Sequence, residues 1–79
     1  MNLFVGWNQV PYNGATRVVD QALGNCLQSV SAVFLLNPAT QSYSWWFKGA
    51  SVGVNTLTSL SPGQILWVLA TASCAWQQT

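Results

Sequence analysis

Residues 65–70, Ile-Leu-Trp-Val-Leu-Ala, are apolar at every position. In a β-strand, successive side chains point to opposite faces. Such a strand presents apolar groups to both sides of its sheet, and both sides need cover. Residues 30–36 carry the same burden, with Val33 and Leu35 on one face and Ala32, Phe34 and Leu36 on the other. An antiparallel sheet with a wet face reads apolar on one side and polar on the other. These strands do not, and one helix cannot cover both faces. The second face is covered either by closing the sheet into a barrel under helix and loops, or by another subunit.

Charge favours the subunit. Arg17, Asp20 and Lys48 are the only charged side chains, 4% of the chain, against about 25% in ordinary globular domains. Aromatic residues make up 13%. Charge depletion with aromatic enrichment is the composition of interface cores.

Local signals give the element order. Leu3 to Val10 carries β-formers and reads as a first strand. Pro11 and Asn13-Gly14 mark a turn. Thr16 is an N-cap candidate. Val19, Ala22, Leu23 and Cys26 then recur at helical spacing, with Asp20 in the favourable first turn, which predicts a short helix from Arg17 to Leu27. Residues 30–47 read as a hairpin that turns at Asn37-Pro38. Residues 48–60 are a loop with two glycines, and Pro62-Gly63 makes a turn. Ile65 to Ala70 is the next strand, and residues 74–78 hold a short last one. Strand, helix and β-meander predict an α+β domain over residues 1–79: a small antiparallel sheet or open barrel of about five strands with one short helix.

The adjacent tryptophans Trp45 and Trp46 must point opposite ways. Trp45 shares a face with Tyr43 and Phe47 and is assigned to the core. Trp46 shares a face with Ser42 and Ser44 and is assigned to the partner-facing surface. The candidate interface or ligand-binding residues are Trp46, Phe34, Leu36, Leu66 and Val68. Cys26 and Cys74 are far apart and form no metal motif. A disulfide between them would stabilise a small exported domain; the alternative is two small buried apolar residues.

Several function classes are excluded on composition. The chain has no histidine and one acid, so it lacks a carboxylate pair, a nucleophile–His set and enough zinc ligands. No Gly-rich phosphate loop joins a strand to a helix. No enzyme, cofactor or metal is expected. Two cations are no footprint for nucleic acid. The longest apolar runs fall well short of the roughly 20 residues that span a bilayer. The amino end has no basic segment followed by an apolar one, so no signal peptide is expected there.

Gly-Trp-Asn at 6–8, "VVDQALGNC" at 18–26, "SVSAVFLLNPATQSYSWWF" at 29–47, "NTLTSLSPGQILWVLA" at 55–70 and Trp76 follow in a familiar order. This pattern resembles a short β-rich module that recurs in bacterial extracellular and cell-surface proteins, many from Chloroflexi-like lineages. The resemblance covers nearly the whole chain. It implies a surface context and a non-catalytic module. Relatives usually carry charged or tyrosyl residues where this chain has Leu35, Leu36 and Asn37. They carry acidic or aromatic residues where it has Gln64, Ile65 and Leu66. The shift from solvated to apolar groups fits a chain that assembles with itself. The expected function is a non-enzymatic structural subunit, extracellular or on the cell surface, that self-assembles into an oligomer or filament. The alternative is a carbohydrate-binding or adhesive module with a glycan partner.

Overall fold

The two runs that are apolar on both faces take the central places in a four-stranded antiparallel sheet. The computed structural model describes residues 1–37, 39–50 and 53–78. Its strands are β1 (Asn2–Leu3), β2 (Gly6–Pro11), β3 (Arg17–Val18), β4 (Val30–Asn37), β5 (Ser42–Phe47), β6 (Ser59–Leu60), β7 (Ile65–Ala70) and β8 (Cys74–Ala75). The main sheet has the order β2-β7-β4-β5. Two short antiparallel ladders, β1 with β8 and β3 with β6, flank it. The fold is α+β and β-rich, and the sheet is open rather than closed into a barrel.

β7 enters between β2 and β4, so the strands do not form a meander. That pairing is long-range, and nothing local announces it. The first strand breaks at Phe4–Val5, where the Asn8 side chain competes for the backbone. Its Oδ1 accepts from Phe4 N–H at 3.0 Å, and its Nδ2 donates to Phe4 O at 2.8 Å and Gly6 O at 3.0 Å. Gly6 sits at φ +101°, a conformation open to glycine and strained for other residues. The helix is shorter than its spacing suggested. Helix α1 spans Val19–Leu23, and a 3-10 helix continues over Gly24–Ser29. Gly24, at φ +51°, makes the change. Thr16 is not the cap; the N-cap of α1 is Val18, which makes no side-chain capping bond, though Asp20 does lie in the first turn.

The hairpin, the Pro62-Gly63 turn and the strand at 65–70 lie where expected, with Gly63 at φ +91°. The last strand is confined to Cys74–Ala75. The turn residue Pro38 and loop residues Ser51 and Val52 lie outside the described residues.

The core forms between the sheet's inner face and α1 with its 3-10 extension. Val10, Val33, Trp46, Leu66, Val68 and Ala70 come from the sheet. Val19, Ala22, Leu23 and Cys26 face them, and Leu3, Tyr12, Leu57, Leu60 and Trp76 close the sides. Trp76 Nε1 donates to Ala22 O at 3.0 Å, so its ring is buried without an orphan donor. A disulfide joins Cys26 to Cys74 with a Cα separation of 5.9 Å. It ties the 3-10 helix to β8.

The assignment of the paired tryptophans is inverted. Trp46 is 6% exposed, and Leu66 and Val68 are fully buried; all three belong to the core, not to a partner-facing surface. Trp45 lies on the other face. The helix docks on the Trp46 side, where the indole Nε1 donates to Asp20 Oδ1 at 3.2 Å. Ser42 and Ser44, which made that face read as wet, lie toward the hairpin end, exposed and half-buried respectively.

Candidate functional site

The face left open by α1 is built by strand register. Phe47, Ala32, Leu69 and Trp7 align across β5, β4, β7 and β2. Trp45, Phe34, Trp67 and Gln9 form the next row. Two residues further along each strand, Tyr43, Leu36, Ile65 and Pro11 share the same face. Gln9 is the one polar side chain in these rows, apart from the Tyr43 hydroxyl.

Phe34 is the hub. Its ring meets Trp7 edge to face at 5.6 Å, Phe47 at 5.7 Å and Tyr43 at 6.4 Å. Ring centroids 4.5–7 Å apart in T-shaped pairs are favourable beyond the area they bury. These contacts hold the aromatic groups in place but do not remove them from water. Trp7 is 54% exposed, Ile65 50%, Tyr43 49%, Trp67 and Phe47 38%, and Leu36 37%. Trp7, Phe34, Tyr43, Trp45 and Trp67 line an open hollow of about 450 Å³. Beyond Trp67 a second groove begins, bordered by the amides of Gln9, Asn37 and Gln64.

The edge beside this face is closed on the β5 side. Thr56 and Leu57 N–H groups donate to Trp45 O at 2.9 and 2.8 Å. Trp45 N–H donates to Thr56 Oγ1 at 2.9 Å, and its indole Nε1 to Val54 O at 2.9 Å. Phe47 N–H donates to Asn55 Oδ1 at 2.9 Å. The 54–57 segment thus satisfies β5 backbone groups that would otherwise recruit another strand.

Of the five residues singled out from the sequence, Phe34 and Leu36 lie on this face. Trp46, Leu66 and Val68 lie beneath it in the core. The residues missed are Trp7, Tyr43, Trp45, Phe47, Ile65 and Trp67. Part of their signal was present, since Trp45, Phe47, Ile65 and Trp67 each neighbour a core residue in sequence, but Trp7 and Tyr43 do not, and only cross-strand register unites the set. Among the described residues, no group of His, Cys, Asp or Glu is placed to hold a metal ion. No described helix is long and apolar enough to cross a membrane.

No family model, curated protein or solved structure matches the chain. The open face offers neither a nucleophile nor a charged group. It offers an open, apolar, aromatic plane.

Proposed function

We propose that this chain is a non-enzymatic structural subunit that self-assembles through the outer face of its sheet, on or outside the cell. The open aromatic face carries the reading. Contiguous apolar patches this large mark interaction sites. The absence of histidine and the single acid support a structural rather than a catalytic role. The Cys26–Cys74 disulfide fits an oxidising compartment, as does the resemblance of the Gly-Trp-Asn and Pro-Gly motifs to extracellular modules. Sedimentation at low micromolar concentration tests it. Association is expected, with little dependence on salt because few charges are present to screen. A stable monomer overturns it.

Carbohydrate binding is the second reading. The groove that joins Trp67 to the Gln9, Asn37 and Gln64 amides favours it, since a sugar ring stacks on an aromatic plane while amides take its hydroxyls. A monomer that binds a glycan array, and loses that binding with Trp67→Ala, would establish it.

A further inference from the structure

Resting on the self-assembly reading, we infer how the second copy sits: face to face across a two-fold axis, the two sheets forming a sandwich with Phe34 near its centre. The contact is closed, and the unit it builds is a dimer.

Area is the first argument. Trp7, Ile65, Tyr43, Trp67, Phe47 and Leu36 are each 37–54% exposed. With aromatic side chains of roughly 150–250 Å² and aliphatic ones somewhat smaller, these six expose on the order of 500–600 Å². Half-buried Phe34, Trp45 and Leu69 extend that toward the roughly 800 Å² per partner of a standard interface. A face-to-face pair would bury more than about 1,000 Å² in total, the threshold for a specific contact.

Self-complementarity is the second. A two-fold contact places the same patch on both sides, so any charge on the patch meets its own copy. This face carries none. Two sheets stack about 10 Å apart with strands within about 30° of alignment, and interdigitating side chains fill the space between. The hollow beside Phe34 gives such side chains room. A lipid surface fits less well, because membrane-docking faces are flanked by basic residues and this chain has two cations.

The edges supply the third argument. The 54–57 segment occupies the β5 edge at Trp45 and Phe47. The β2 edge ends in Pro11, which has no N–H. Tyr12 N–H bonds Gln64 O across β2 and β7, and antiparallel alternation then turns the backbone of Trp7 and Gln9 outward. Two N–H groups make a short edge for strand addition, and the face is far larger.

Sedimentation and thermal melting of three proteins test this: wild type, Trp7→Lys and Tyr43→Lys. The lysine variants put charge at opposite sides of the face, at positions near half exposed. The β2 edge is read in the wild type, by amide hydrogen exchange at Trp7 and Gln9, whose outward N–H groups an added strand would protect. The expected result is a wild-type dimer, a tenfold or greater rise in dissociation constant for each lysine variant with its fold retained, and unchanged exchange at the two edge amides on association. Strong protection of both edge amides with the lysine variants still dimeric, or growth beyond a dimer, overturns the face-to-face contact and leaves self-assembly standing. A wild-type monomer overturns both, whether it stays free or pellets with phosphatidylcholine vesicles. Wild-type tryptophan emission needs no variant. It should shift red on dilution through the dissociation constant as Trp7 and Trp67 become wet, and an unshifted spectrum across that transition overturns the inference.

Discussion

Trp46 and Asp20 form the contact that orients the sheet. The indole ring belongs to the core while its N–H reaches Asp20 Oδ1 at 3.2 Å, across from β5 to the first turn of α1. One residue away, Trp45 keeps its ring on the open face and its N–H on Val54 O. Removing the two rings should therefore have unequal effects. Trp46→Ala leaves a large cavity and should cost about 3–5 kcal/mol, much of the stability of a small domain. Trp45→Ala removes a half-buried ring and should cost about 1–2 kcal/mol. Asp20→Ala keeps the Trp46 ring but orphans its donor, at about 1–3 kcal/mol. Urea denaturation of the three variants checks the order. A larger loss for Trp45→Ala than for Trp46→Ala would mean that the helix packs on the opposite face.

At the scale of elements, alternation was legible and orientation was not. Period-two reading correctly placed Tyr43 with Trp45 and Phe47, and Ile65 with Trp67 and Leu69. In β7 both sets are apolar, so the pattern could not tell which faces inward; in β5 the serines beside Trp46 pointed to the wrong face. The missing information lay in α1, whose docking face is set by packing rather than by strand pattern. Asn8 and Asn55 were also opaque, since an amide that bonds backbone looks like any loop asparagine in sequence. Asn55 holds the β5 edge through Phe47, accepting from its N–H at 2.9 Å and donating to its carbonyl at 3.4 Å. Asn55→Ala should destabilise the domain by about 1 kcal/mol. It should also speed amide hydrogen exchange at Phe47 more than at Val33 or Val68 in the sheet centre. Uniform acceleration across the sheet would show that the 54–57 segment is not a local clasp.

The whole molecule joins a small core to a large uncovered face, and the disulfide bears on both. Cysteine spacing alone left the bridge undecided, because the contact brings the 3-10 helix to a strand 48 positions away. A loop of that length gives about 4 kcal/mol of stabilisation in the chain-entropy picture. Domains of this size have total stabilities near the low end of about 5–15 kcal/mol. Reduction should therefore lower the melting temperature by about 15 °C or more. An unchanged melting temperature would mean that the bridge contributes nothing to the folded state. The reduced protein also connects folding to assembly. A marginal subunit that associates only when folded is stabilised by mass action. Its melting temperature should then rise as protein concentration is raised through the micromolar range, at constant reductant. Trp7→Lys, with charge on the open face, should flatten that rise while leaving the dilute-limit melting temperature near that of the parent. Equal slopes for the two proteins would show that Trp7 takes no part in the contact that couples assembly to folding.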